Sequence, residues 1–198
     1  MTYSAHPTSA ARLRLSSLTL TPDKAAAALY LGFVAALAGA VIGPLEAALA
    51  GTVLAFGLAW ASMVDIDRFI LPDVLTLGLT FAGLGWALAG GAADALPYAI
   101  GAAAGYGALA LLAASYQRLR GRSGLGMGDA KLLAAGGAWL GWMALPVVVL
   151  LASLACLVFV VGHAALRGQR VTAAPIPFGP YLAAAIWILW LVRLGGGL

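Results

Sequence analysis

The sequence predicts an all-α fold, a polytopic membrane bundle of about seven transmembrane helices. Of its 198 residues, 63% are hydrophobic and only 9% are charged, whereas a soluble domain carries roughly 25% charged residues. The hydrophobic residues also form separate runs, most of them close to the roughly 17–25 residues that a spanning helix needs. These runs cover about residues 24–43, 46–64, 73–91, 94–116, 129–142, 145–165 and 178–196.

The N-terminal residues and the fifth hydrophobic run differ from the rest of the sequence. Residues 1–23 are rich in Ser, Thr and Ala and lack an apolar centre, which predicts a flexible tail rather than a secretory signal. The fifth run, 129–142, is short and rich in glycine. We expect it to be tilted or shielded from lipid by its neighbours.

The distribution of basic residues predicts the orientation. If Asp65 is placed on the cytoplasmic side, ten of the eleven Lys and Arg residues fall in cytoplasmic segments, and only Arg193 falls outside. Positive charge concentrates on the cytoplasmic side of membrane proteins. The N-terminus is therefore predicted inside and the C-terminus outside, so the net charge of +4 is no sign of nucleic-acid binding.

Two short polar motifs interrupt the apolar sequence, and each places an acid at the end of a hydrophobic run. The first is D-I-D-R-F-I-L-P-D, residues 65–73, and the second is G-M-G-D-A-K, residues 126–131. Acids at a bilayer edge are costly and are functional candidates by default. Asp65 would end one helix and Asp129 would open another. A carboxylate pair in two such settings can divide the work of general base and general acid. The alternative is that these acids only pair with Lys131, Arg68 or loop arginines.

These two motifs, together with P-F-G-P at 177–180, resemble the type IV prepilin peptidase family, which are membrane aspartyl proteases of the GxGD type. The resemblance covers about residues 45–198, which leaves 24–44 as an extra N-terminal transmembrane helix. It implies that Asp65 and Asp129 are the catalytic dyad. It also implies supporting roles for the remaining motif residues, which are Asp67, Pro72, Asp73, Gly126, Gly128, Lys131, Pro177, Phe178, Gly179 and Pro180.

The resemblance implies an endopeptidase that removes the leader peptide from prepilins or pseudopilins of a type IV pilus or type II secretion system. Cleavage would occur at the cytoplasmic surface of the bacterial inner membrane and would need no metal or organic cofactor. Larger family members carry paired C-x-x-C motifs and N-methylate the product with S-adenosylmethionine. This sequence has one cysteine, Cys156, so it resembles the compact form and methylation is not expected.

Three further expectations concern the polar residues around the dyad. Asp73 is expected near the start of a helix as its cap, and Asp67 and Asp73 could together attract a basic leader. Lys131 could instead extend its ammonium to the membrane interface.

Two other functions fit parts of the sequence. Gly121-Arg122-Ser123-Gly124 matches the GxSG pattern of rhomboid serine proteases, with His163 as a possible base. The non-enzymatic alternative is a small transporter or channel that uses Asp65 and Asp129 as ion ligands. No H-E-x-x-H motif occurs in the sequence, which disfavours a zinc protease.

Overall fold

The computed structural model describes residues 20–91, 95–121, 126–167 and 176–196. Within these ranges the chain forms seven α-helices, one short 3-10 helix at Trp142–Ala144 and no strand. The predicted all-α fold with seven helices is confirmed. The helices are α1 (Pro22–Ile42), α2 (Leu45–Arg68), α3 (Asp73–Ala89), α4 (Leu96–Arg120), α5 (Met127–Leu140), α6 (Leu145–Leu166) and α7 (Gly179–Leu194).

Four segments of the described chain are long and apolar enough to cross a membrane: α1, α2, most of α4, and the 3-10 helix together with α6. Helices α3 and α7 are also apolar but have only 17 and 16 residues. The chain is therefore a polytopic helical membrane protein in which spanning and shorter helices are mixed.

Helix α5 is the shortest and the most enclosed helix of the bundle. Its 14 residues extend about 21 Å at 1.5 Å per residue, which is less than the roughly 30 Å of a hydrocarbon core. Eleven of those residues are buried against other helices. The prediction that neighbours shield this segment from lipid is confirmed, because protein surrounds most of α5.

Small residues bring α4 and α5 into backbone contact. A Cβ atom added at Gly137 would lie 2.2 Å from the carbonyl oxygen of Gly101, and one added at Gly105 would lie 2.6 Å from that of Leu133. Helices approach this closely only where side chains are absent, as is common in membrane bundles. The contact fixes α5, which carries Asp129, along the length of α4.

Two buried tryptophans join α5 to its other neighbours. The Nε1 of Trp139 donates a hydrogen bond of 2.8 Å to the carbonyl oxygen of Leu79 in α3. The Trp139 ring also packs edge-to-face on Trp190 of α7, with centroids 5.4 Å apart. These contacts hold α3, α5 and α7 together, and these helices, with α2, supply the polar residues of the site described below.

Candidate active site

Asp65 lies in the last turn of α2, and its carboxylate meets the start of α7. The side chain is 6% exposed, and its Oδ2 accepts a 2.9 Å hydrogen bond from the backbone N–H of Gly179. Gly179 is the first residue of α7, where the backbone N–H groups have no partner within the helix. A helix start stabilises a carboxylate. The start of α7 therefore provides Asp65 with a backbone N–H donor, whereas the C-terminal end of α2, where Asp65 lies, presents unpaired carbonyl groups.

Asp129 lies in the first turn of α5 and is 9% exposed. Its backbone N–H donates to the carbonyl oxygen of Gly126 at 3.1 Å, so the chain turns into the helix directly before the acid. Gly128 packs on Leu71, and a Cβ at Gly128 would lie only 2.8 Å from the Cβ of Leu71. The glycine therefore lets the start of α5 approach the segment that joins α2 to α3.

The two acids meet in one cavity of about 410 Å³. They are 64 positions apart in the chain, yet both line the same cavity. Six of the residues to which the resemblance assigns supporting roles line the same cavity, namely Asp73, Gly126, Gly128, Lys131, Pro177 and Phe178. The three motifs, far apart in sequence, therefore form one site.

The two other acids of the first motif are already paired with lysines. Asp67 forms an ion pair with Lys24 of α1, and its second oxygen lies 3.8 Å from Nε of Arg68. Asp73 forms an ion pair with Lys131. Since each carboxylate has a basic partner, the geometry argues against the hypothesis that they attract a basic leader.

Asp73 and Pro180 lie in the first turns of α3 and α7, and Asp73 does not have the capping role predicted for it. Asp73 is not a cap, because Pro72 occupies the N-cap position of α3 and the cap has no side-chain hydrogen bond. Asp73 is instead the first residue of the helix, where it pairs with Lys131 across to α5. Pro180 lies in the first turn of α7 and does not line the cavity.

The sequence interpretation missed four apolar residues of the cavity wall, each at least 39% exposed. Two follow Asp65 within the first motif, one lies inside G-M-G-D and one directly precedes P-F-G-P, and the only signal for them was their position within or next to these motifs. They are Phe69, Ile70, Met127 and Ile176.

The serine-protease alternative gains no support from the structure. Ser123 lies outside the described residues. His163 lies in the last turn of α6, where its ring stacks on Phe159 with centroids 5.7 Å apart. It does not line the cavity that holds the two acids.

A larger cavity of about 750 Å³ lies at the opposite end of the bundle, between the start of α2 and the ends of α5 and α7. Its charged side chains are Glu46 and Arg193. Arg193 donates to the hydroxyl of Tyr98, and its guanidinium lies 5.0 Å from the centre of that ring. An arginine on an aromatic ring near a helix end is typical of a membrane-interface anchor.

The fold and the site define a polytopic membrane protein with two acids facing one cavity, and comparison with known proteins gives its family. The family model for the type IV leader peptidase family matches residues 52–161. The chain belongs to this family.

Curated relatives are similar over most of the chain. It is 48% identical over 146 residues to a prepilin leader peptidase/N-methyltransferase of Aeromonas salmonicida (strain A449), covering 71% of this chain and 50% of the relative. It is 48% identical over 154 residues to the protein of that name in Burkholderia pseudomallei (strain K96243), covering 77% and 49%. The match in Neisseria gonorrhoeae is 40% identical over 142 residues, covering 72% and 48%.

The chain spans about half the length of these curated relatives. No solved structure matches it at a significant level. The predicted division at residue 45 stays a prediction, as do the roles of the individual site residues.

Proposed function

We propose that this protein is a membrane aspartic endopeptidase that removes the leader peptide from type IV prepilins or pseudopilins. The observation that carries the proposal is the meeting of Asp65 and Asp129, both buried, in one cavity of about 410 Å³. Membership of the type IV leader peptidase family supports this class of substrate.

The chemistry needs two carboxylates in different protonation states. One carboxylate accepts a proton from a water molecule as the water oxygen attacks the carbonyl carbon of the scissile bond. The protonated partner donates to the carbonyl oxygen, and the tetrahedral intermediate then collapses as a proton moves to the leaving nitrogen. The Gly179 N–H holds one oxygen of Asp65 in place during these steps.

Neither metal nor organic cofactor takes part in this scheme. Water is the nucleophile, and the two acids carry every proton transfer. N-methylation, which is part of the names of the curated relatives, is not proposed for this chain. It would require S-adenosylmethionine if it were retained.

The proposed location is the bacterial inner membrane, with the dyad facing the cytoplasm. The distribution of Lys and Arg along the sequence supports this orientation. The scissile bond would then lie at the inner membrane surface, with the leader in water and the apolar part of the precursor in the bilayer.

The decisive experiment is cleavage of prepilins from the same genome by the full chain reconstituted in lipid. Asp65→Asn and Asp129→Asn should each lower kcat by at least about a thousandfold, since loss of either member of a catalytic unit removes most of its rate enhancement. Glu46→Gln, at the opposite end of α2, is the matched control and should retain activity.

Mass measurement of the mature N-terminus locates the cut and reports methylation, because each methyl group adds mass. Full cleavage by either dyad variant would refute the proposal. Ion flux through proteoliposomes that requires Asp65, with no cleavage of any precursor, would favour the transporter alternative.

A further inference from the structure

Phe69 has an unusual backbone conformation immediately after α2. Its φ and ψ are 55° and 31°, in the left-handed region, and it is the one non-glycine residue with positive φ among the described residues. Its N–H donates to the carbonyl oxygen of Asp65 at 2.8 Å. This helix-ending position is usually occupied by glycine, and a bulky side chain there is strained.

The side chain of Phe69 is exposed and lines the cavity that holds the two acids. It is 52% exposed, and three other exposed apolar side chains, Ile70, Met127 and Ile176, line the same cavity. We call these four residues the apolar rim. Strained residues that persist in a fold are concentrated at functional sites, and the four side chains of the rim share their cavity with Asp65 and Asp129.

We propose that Phe69 is a substrate-positioning residue and that the apolar rim binds an apolar side chain of the substrate next to its scissile bond. The inference rests on the proposed function, because it needs a peptide bond held at Asp65 and Asp129. An extended chain advances at most about 3.3–3.6 Å per residue. Residues within about three positions of that bond therefore pass the rim, and an apolar side chain there is removed from water.

The left-handed turn explains how Phe69 comes to lie beside the dyad. Continued α-helix would carry residue 69 onward along α2, but the turn ends the helix four residues after Asp65 and brings the chain back into α3. Glycine would make the same turn without strain but would offer no side chain. Phe69 thus places an aromatic side chain at a position where the backbone conformation favours glycine.

The alternative role for Phe69 is anchoring in lipid, and Ile66 provides the matched control. Ile66 is 47% exposed and lies three residues earlier in α2, but it does not line the cavity. If anchoring is the only role, Phe69→Asn and Ile66→Asn will alter cleavage alike. Asparagine suits the left-handed conformation, so Phe69→Asn is expected to fold.

The test is a set of double-mutant cycles on cleavage of a prepilin by the reconstituted protein. The three precursor residues on each side of the scissile bond are changed singly to alanine, and kcat/KM is measured with unaltered protein, Phe69→Asn, Phe69→Tyr and Ile66→Asn. We expect Phe69→Asn to lower kcat/KM about tenfold or more, the usual discrimination of one apolar contact. Its thermal midpoint should equal or exceed that of the unaltered protein.

The loss of kcat/KM should also be coupled to at least one precursor position. Alanine at that position should lower kcat/KM much less when the protein carries Phe69→Asn than when it is unaltered. Phe69→Tyr should keep most of the kcat/KM of the unaltered protein. Ile66→Asn should show no coupling to any of the precursor positions. Additive effects at all six positions would overturn the inference while leaving the proposed function intact. If the unaltered protein cleaves no prepilin, the proposed function and this inference fail together.

Discussion

Gly179 and Asp65 are joined by a 2.9 Å hydrogen bond from the backbone N–H of the glycine to Oδ2 of the acid. The pair connects the start of α7 to the end of α2 across 114 positions of sequence. A Cβ atom at Gly179 would lie 2.7 Å from the same oxygen. The absence of a side chain at this position is therefore what allows the carboxylate to reach the backbone.

Gly179→Ala is expected to lower kcat by roughly 10- to 100-fold, because a displacement of about 1 Å at a catalytic group has a cost of that order. Single-turnover cleavage of a prepilin measures the effect. Gly78→Ala is the control, since a Cβ at Gly78 meets no atom within 4 Å. Equal rates for the two variants would show that the contact does not position Asp65.

The sequence predicted the helices well because their signal is local. Runs of apolar residues set the number of helices, and the polar motifs between them predicted which acids belong together. The distance between Asp65 and Asp129 could not be predicted in this way, since it depends on how α2, α5 and α7 pack. The contact of Gly101 with Gly137, which fixes α5 against α4, also joins residues far apart in the chain.

The partner of Asp67 and the backbone conformation of Phe69 could not be predicted from the sequence either. Asp67 pairs with Lys24 of α1, in a helix that precedes the family match at 52–161. Phe69 gave no sign of its left-handed backbone because glycine or asparagine is expected in that conformation. Both features depend on tertiary structure, which overrides the local preference of the residue.

The two glycines of G-M-G-D should differ in their tolerance of alanine. At Gly128 a Cβ would lie 2.8 Å from the Cβ of buried Leu71, whereas at Gly126 the nearest atom, Oδ2 of Asp129, is 3.5 Å away. Gly126 also has a φ of −72°, which alanine adopts freely.

We therefore expect Gly128→Ala to lower the free energy of unfolding by about 1–3 kcal/mol, the usual cost of overpacking, and to reduce cleavage. Gly126→Ala should change stability by less than about 0.5 kcal/mol, as at most unstrained surface positions. Both variants and the unaltered protein are compared in one detergent by thermal unfolding, which reports stability, and by prepilin cleavage. If Gly126→Ala proves the more damaging, the packing of Leu71 on α5 is not what the motif requires.

The ion pair of Asp73 with Lys131 should matter more for catalysis than for stability. The Asp73 side chain is 58% exposed, and exposed pairs contribute about 0–1 kcal/mol. Asp73→Asn, however, leaves the Lys131 ammonium without this partner in the cavity that holds the dyad.

We expect Asp73→Asn to lower kcat/KM several-fold, because the released ammonium can pair with Asp65 or Asp129. The double variant Asp73→Asn, Lys131→Gln should recover part of that loss, and thermal midpoints should change little throughout. The measurement is a double-mutant cycle on prepilin cleavage. If the losses in kcat/KM of the two single variants simply add in the double variant, Lys131 does not pair with Asp65 or Asp129 when Asp73 is replaced. Asp73 and Lys131 would then have separate roles.

The backbone contact between α4 and α5 predicts a large effect of one added methyl group far from the dyad. A Cβ at Gly137 would lie 2.2 Å from the carbonyl oxygen of Gly101, and backbone atoms cannot move aside as a flexible side chain can. Gly137→Ala is expected to lower the free energy of unfolding by about 3 kcal/mol, the upper end of overpacking costs.

For a chain of this size that loss corresponds to a midpoint roughly 6–12 °C lower, measured by thermal unfolding in detergent. Gly107→Ala on α4 is the control, because a Cβ there meets no atom within 4 Å. Cleavage by Gly137→Ala should also fall below that of the control at temperatures where both are folded, because the methyl group forces α5, and Asp129 with it, away from α4. A variant that loses stability but cleaves at the control rate would show that α5 adjusts without moving the end that carries Asp129.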